Sequence, residues 1–423
     1  MLARLLLLVA MLLLGTPALA ETVVVHAGRL ITDASKRPQG PSTIVIVDGR
    51  ISSVTEGLTP APAGARLVDL TGKTVLPGLI DAHVHLSGDP NEPFWREAID
   101  PPEWSAIVGA KNARITARAG FTTVRDLGSP KLVGFALRRA TEEGLIPGPR
   151  ILASGQAIST IGGHGDATGF RPEVNAALAG GNTCTGAEEC AARVRELARL
   201  GADIIKFHAT GGVLSQGDKS LGQAFTDAEM KSMVDTAHGL GLRVAAHAHS
   251  ARGIEAAARA GVDSIEHGTF ADAAAIREMK ARGTTLVPTL MAFTGIRERL
   301  GKGIYTPVVE GKVRMTLGEV GKAARAARAA GIPIVFGTDA AVYEHGRNAQ
   351  EFGQLVELAG MSPAEALASA TTAAAKLLDL EGQVGRVAPG YSADLIAVAG
   401  DPLQNIRVLE KVDYVMVRGR TIE

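Results

Sequence analysis

Six side chains of this 423-residue sequence carry its chemistry: His83, His85, Lys206, His247, His267 and Asp339. Each stands where a short apolar run ends. His83 and His85 close residues 76–85, and a spacing of two along a strand puts both imidazoles on one face. Lys206 closes 202–206, His247 and His249 close 243–249, His267 closes 264–267, and Asp339 closes 334–339. Taken singly, each has a duller role. A lone strand histidine is more often a hydrogen-bonded core residue than a ligand, and Asp339 has the option of capping a following helix. Lys206 is harder to set aside, because an ammonium on an apolar strand is costly to bury unless it is paired or chemically altered. Imidazoles and a carboxylate gathered at one place are the donor types that zinc selects.

Gathering them requires a scaffold whose strand ends converge. From about residue 72 to 380, short β-branched runs alternate with stretches rich in Ala, Arg and Glu, such as 251–260, 272–281 and 323–330. The runs end at Val84, Val124, Leu152, Ile205, Ala246, Ile265, Val287 and Phe336. Eight strand–helix units of this size predict an α/β fold with a (β/α)8 TIM barrel, in which the C-terminal strand ends share one mouth. A doubly wound open sheet would carry a Gly-rich phosphate loop after its first strand, and none is present. Both ends of the chain instead read as short strands and turns, which predicts a small β-sandwich-like domain formed by the two termini. The expected division is a signal peptide over 1–20, a composite β domain over 21–75 and 385–423, and a hydrolase barrel over 76–384.

Composition narrows the partners. Lys and Arg number 44 against 44 Asp and Glu, which argues against nucleic acid or an anionic membrane as the main partner. An apolar content of 46% excludes a disordered chain. Arg4, the apolar run 5–14, the break Gly15-Thr16-Pro17 and the small-x-small ending Ala18-Leu19-Ala20 have the pattern of a secretory signal peptide cleaved after Ala20. The run is about half of the ~20 residues that span a bilayer, so the expectation is an exported protein, periplasmic or secreted, with no stable membrane anchor. In an oxidising compartment Cys184 and Cys190 either close a short loop as a disulfide or remain two thiols; their spacing is not that of a CxxC redox or zinc pair.

The run Gly78-Leu79-Ile80-Asp81-Ala82-His83-Val84-His85, with Lys206, His247, His267 and Asp339 at later strand ends, resembles the amidohydrolase superfamily over nearly the whole mature chain. Thr123-Val124-Arg125-Asp126-Leu127-Gly128, Gly162-Gly163-His164-Gly165, Ile265-Glu266-His267-Gly268 and Val287-Pro288-Thr289-Leu290 are similar to its imidazolonepropionase-related branch. That branch includes zinc-dependent Xaa-Pro dipeptidases and carboxypeptidases, and bacterial hydrolases of ochratoxin A, an N-acyl phenylalanine. The resemblance implies two Zn²⁺ ions. His83, His85 and Asp339 would hold the more buried one and His247 and His267 the other, with Lys206, N6-carboxylated by carbon dioxide, bridging them. A carbamate turns an unwelcome buried cation into an anion between two cations. The implied reaction is attack on an amide carbonyl by a metal-bridged hydroxide, with Asp339 passing the proton to the leaving nitrogen. Imidazolonepropionase itself and the mononuclear deaminases lack the bridging lysine, so Lys206 argues against them. The resemblance also implies a homo-oligomer, with an octamer as one form.

Substrate positioning falls to His164, His249 and Arg125. His164 follows two glycines in the loop after the third strand, where a surface histidine is the alternative. His249 stands where some dipeptidase relatives place a tyrosine that contacts the scissile carbonyl. Arg125 has the fork that grips a carboxylate, with a structural pair to Asp126 or a neighbouring strand as its alternative. His208, two residues beyond Lys206, reads as an outer partner of the centre. Leu214, Phe170 and Val342 are candidates for an apolar pocket. The expected substrate is a small molecule or dipeptide whose leaving group is an amino acid with a free carboxylate. A lactonase, esterase or cyclic amidase would use the same centre. A catalytically dead binding module would be expected to have lost a ligand, and none is missing.

Overall fold

The computed structural model describes residues 21–216 and 221–423; the signal-peptide reading of 1–20 falls outside them. Strands from both ends of the chain share one seven-stranded sheet. It contains β1 (Thr22–Leu30), β2 (Ser42–Val47), β3 (Arg50–Glu56) and β4 (Arg66–Pro77) from the front of the chain. From the end of the chain, beyond seven intervening strands, β12 (Leu395–Val398), β13 (Val412–Val417) and β14 (Arg420–Thr421) complete it, in the order β14-β13-β12-β4-β1-β2-β3. Alternate residues of these strands (Val23, Val25, Ile44, Ile46, Leu395, Ala397) form a core of their own. β4 crosses position 75 and still pairs with β12 at Pro77.

After one intervening residue, Gly78, the chain enters parallel structure. β5 (Leu79–Val84), β6 (Phe121–Asp126) and β7 (Arg150–Ala153) form one sheet. A second contains β8 (Ile204–His208), β9 (Arg243–Ala248), β10 (Ser264–His267) and β11 (Thr285–Val287). β5, β6, β8 and β10 are buried along their whole length, as parallel strands covered on both faces must be. Parallel bridges Ile158↔Phe207, Leu286↔Ile334 and Val84↔Ala340 link the two sheets and the segment 334–340.

Helices follow the strands with local signals that stop and start them. Ser250 and Asp272 cap Ala251–Ala260 and Ala273–Arg282 through side-chain oxygens, and Gly261 and Gly283 end them in the left-handed conformation that glycine adopts without strain. No helix among the described residues is long and apolar enough to cross a membrane. Cys184 and Cys190 are joined as a disulfide that closes the loop entering helix Ala187–Arg199.

The eighth run, expected to end at Phe336, is not assigned as a strand. Pro333 has no N–H to donate, and the amides of Thr338 and Asp339 both turn to the His83 carbonyl, at 3.2 and 2.7 Å, which breaks the ladder. Asp81 replaces that ladder with side-chain bonds. Its Oδ1 accepts from the backbone N–H of His83 and of Thr338, both at 3.1 Å. Its Oδ2 accepts from Thr338 Oγ1 at 2.6 Å and Asn348 Nδ2 at 2.8 Å. Burial pushes the Asp81 carboxyl up to about 7 even against these four donors. Asp81→Ala removes the acceptor shared by these buried donors, leaving the His83 amide and the Thr338 hydroxyl without that partner, which should cost on the order of 3 kcal/mol. Denaturant unfolding of the variant checks this, and a loss below about 0.5 kcal/mol would contradict the role given to the network.

Candidate metal centre

The six expected side chains meet at the C-terminal ends of the parallel strands, where β5, β8, β9 and β10 deliver them and the turn after Phe336 adds Asp339. They line a cavity of about 310 Å³. Two groups have ligand atoms within 4.8 Å of one another: His83, His85 and Asp339, and His247, His249 and His267. Lys206 lines the same cavity. His249, expected to touch substrate, thus stands with the second group.

Hydrogen bonds fix how these rings present themselves. His83 Nδ1 donates to Glu266 Oε2 at 2.8 Å, and His85 Nδ1 donates to the Gly128 carbonyl at 3.0 Å. With Nδ1 carrying the proton, each ring turns Nε2 toward Asp339 Oδ1, at 3.4 and 3.3 Å. His267 Nδ1 bonds Thr289 Oγ1 and His249 Nδ1 bonds Thr269 Oγ1, both at 2.7 Å. His247 Nε2 lies 3.3 Å from the Gly211 carbonyl.

Burial then sets the charges. It holds His247 and His267 well below the usual imidazole range, with neighbouring imidazoles adding to the effect. It takes His83 down to about 4 and His249 to about 3. His85 alone of these rings is pushed up: burial lowers it, but the bond and charge of Asp339 outweigh that. Burial would raise Asp339, yet the imidazoles of His83, His85 and His267 hold it well below the carboxylate range. Burial and the Arg125 charge lower the Lys206 amine to about 8, against the pull of Glu266 and Asp339. An amine in that range has an appreciable neutral fraction, the form that reacts with carbon dioxide. Imidazoles that, apart from His85, are held toward their neutral form, with an ionised carboxylate and a modifiable amine, form a set that fits zinc-like divalent ions.

The backbone is bent to make this possible. His267, Thr289 and Asp339 have φ of 71°, 47° and 60°, left-handed values that cost a non-glycine residue about 1–3 kcal/mol each and collect at functional sites. Asp339 is held there by the bond of its amide to the His83 carbonyl, and His267 and Thr289 by the bond between their side chains.

Arg125 is corrected. It lies under the centre, completely buried, and lines neither the 310 Å³ cavity nor the one beside it. Nη2 pairs with Glu266 Oε1 at 2.9 Å, Nη1 donates to Ser264 Oγ at 3.1 Å, and Nε donates to the Ala82 carbonyl. A guanidinium buried there, with each of its nitrogens engaged by the protein, is out of reach of a substrate carboxylate in either cavity. His164 does line the cavity, 4.4 Å from His247 between ring centroids, with Nδ1 2.6 Å from Ser215 Oγ. Leu214 and Val342 also line it, with Val213, Phe293 and Ile296, whereas Phe170 does not.

Glu266 is the residue that the motif reading passed over. Its signal was present: an acid inside a four-residue strand must find a cation, and Arg125 on another strand is the complement. Glu266→Gln weakens the acceptor that orients His83 and should lower metal affinity about 10–100-fold. Zinc titration against a competing chelator reads this directly; affinity within twofold of the parent would remove Glu266 from that role.

Comparison with known proteins agrees with this geometry. The amidohydrolase family model matches residues 74–422. An ochratoxinase from Aspergillus niger is 30% identical over 410 residues, covering 93% of this chain and 84% of its own. The crystal structure of a Xaa-Pro dipeptidase with bound methionine superposes with a TM-score of 0.87 at 38% identity, covering 95% of this chain and 99% of that one. The crystal structure of A. niger ochratoxinase superposes with a TM-score of 0.81 at 28% identity, covering 96% of each. With the family model spanning most of its length and a metal-suited centre at its strand ends, this chain is a hydrolytic enzyme belonging to the amidohydrolase family.

Proposed function

We propose that the protein is a binuclear zinc amide hydrolase of carboxypeptidase or dipeptidase type, cleaving N-acyl amino acids or dipeptides, with ochratoxin A among the candidates. The observation that carries the reading is the convergence of Lys206 with two three-residue groups suited to a metal on one cavity that is also lined by a single apolar cluster. The parallel sheets and the bridges between them read as one (β/α)8 barrel, with the seven-stranded sheet as its companion domain. In this reading His83, His85 and Asp339 would hold one ion and His247 and His267 the other, with Lys206 as the modified residue shared by the two, and His249, which stands with the second group, would donate to a substrate carbonyl. Zinc bound there would supply a Lewis acid for the carbonyl and for activating water at neutral pH.

The chain's own residues do the rest. Asp339, kept ionised by three imidazoles, is the base positioned to take the proton of the attacking water and pass it to the amine nitrogen as the C–N bond breaks. Val213, Leu214, Phe293, Ile296 and Val342 exclude water from one side of the cavity and offer a surface to an apolar group. The similarity to a Xaa-Pro dipeptidase and to ochratoxinases supports an amide whose leaving group is an amino acid. Signal-peptide cleavage after Ala20 and assembly with further copies of the chain belong to the same proposal.

The test is a panel of N-acyl amino acids, Xaa-Pro and Xaa-Arg dipeptides and ochratoxin A, assayed with added zinc. Release of a free amino acid from at least one member is expected; hydrolysis of lactones or cyclic amides alone would contradict the reading. Asp339→Asn should lower kcat by about 10²–10⁴-fold with the fold intact, and activity within a few-fold of the parent would remove Asp339 from proton transfer.

A further inference from the structure

Two cavities meet at the centre. The smaller, about 310 Å³, has the apolar wall described above. The larger, about 720 Å³, has a mixed lining in which Glu92, Arg96, Gln156 and Asn182 stand beside Trp104 and Leu178. Only His85 and His208 belong to both linings. His85 is a member of the first ligand group; His208 is in neither group.

His208 is only 8% exposed, and its Nδ1 is buried with no hydrogen-bond partner among the described residues. A buried polar nitrogen left unpaired is a cost that calls for a reason. The surroundings hold the ring in this state. Gly165 lies against it so closely that a Cβ there would be 2.6 Å from Nδ1 and Cε1. Gly165 is itself pinned, donating its N–H to Ser159 Oγ at 3.0 Å and accepting from Asn182 Nδ2 at 2.8 Å. His164 closes another side edge-on, with ring centroids 4.7 Å apart. Nε2 is therefore the nitrogen left to meet a ligand where the cavities join.

We propose that His208 is a substrate-contacting, specificity-determining residue: Nε2 binds the carboxylate of the leaving amino acid, whose apolar side chain occupies the smaller cavity while the acyl half extends into the larger one. The inference rests on the amide-hydrolase reading and adds to it the residue that reads the carboxylate. Bond lengths support the placement. One carbon separates the carboxylate from the scissile nitrogen, so its partner must adjoin the centre, and His208 lies two residues from Lys206 on β8. Of the two candidates named from the sequence, His164 and Arg125, Arg125 is engaged with Glu266. An imidazole N–H to a carboxylate is a charge-assisted bond, directional enough to separate an acid from its neutral analogue.

The experiment compares N-benzoyl-L-phenylalanine with its carboxamide, following benzoate release by zinc-loaded parent, His208→Phe and His208→Asn, with metal content measured for each. The parent should prefer the acid by at least ~10-fold in kcat/KM, the effect of one charge-assisted hydrogen bond. In His208→Phe that preference should fall at least ~10-fold, mainly through KM, with both ions retained; His208→Asn, which keeps a donor, should restore part of it. Binding of free L-phenylalanine, measured by calorimetry, should weaken by a similar factor in His208→Phe. An undiminished preference in both variants, or equal L-phenylalanine affinity in parent and His208→Phe, overturns the proposal. If His208→Phe does not fold, His208→Asn against the parent decides it by the same two measurements. A parent that cleaves neither compound counts against the amide-hydrolase reading instead, and the L-phenylalanine comparison still decides the role of His208.

Discussion

Glu266 is a carboxylate without solvent, and the centre depends on keeping it charged. Burial alone would push it up; the Arg125 guanidinium, the His83 bond and the Lys206 charge bring it down to about 2. From that one anion follow the tautomer of His83 and the direction of its Nε2 toward Asp339. Arg125 is held in turn, and by donating to the Ala82 carbonyl it ties β6 and β10 to the strand that carries His83. Removing one member of such a buried pair costs more than the pair contributes, because the other is left as an isolated buried charge.

A second constraint acts on the backbone. His267 and Asp339 both take left-handed conformations, and the ladder around the segment 334–340 is reduced to isolated bridges. Regular pairing would have been more stable locally, but it would not have brought the amides of Thr338 and Asp339 to one carbonyl, nor the Asp339 carboxylate between two imidazoles. Asp81 offsets part of that loss through Thr338 and Asn348. Strain and its compensation are therefore built from neighbouring residues, which keeps Asp339 in place before any ligand arrives.

Much of this was legible in the sequence. Alternating apolar runs and helical stretches located the parallel strands, and histidines two apart at strand ends located the ligand groups, because period two and strand-end convergence are properties of the backbone. For Arg125 the structural alternative holds, a pair with a neighbouring strand, but its own strand does not show which residue lies across the interior; its partner Glu266 stands 141 positions away. The segment before Asp339 was read as a strand because its β-branched residues outweighed Pro333 and Gly337, and the turn onto His83 is a tertiary contact. His208 gave only its parity with Lys206; the packing of Gly165 on its ring, from a loop more than forty positions earlier, left no mark beside it.

The central claim is that the centre holds two ions with modified Lys206 between them, and metal content per chain tests it most directly. Protein purified without chelator and reconstituted with zinc and bicarbonate is to be analysed by elemental mass spectrometry, alongside a well-resolved structure of the same preparation. Close to two zinc ions per chain, with Lys206 carboxylated, is the expected result. One ion per chain and an unmodified Lys206 would contradict it.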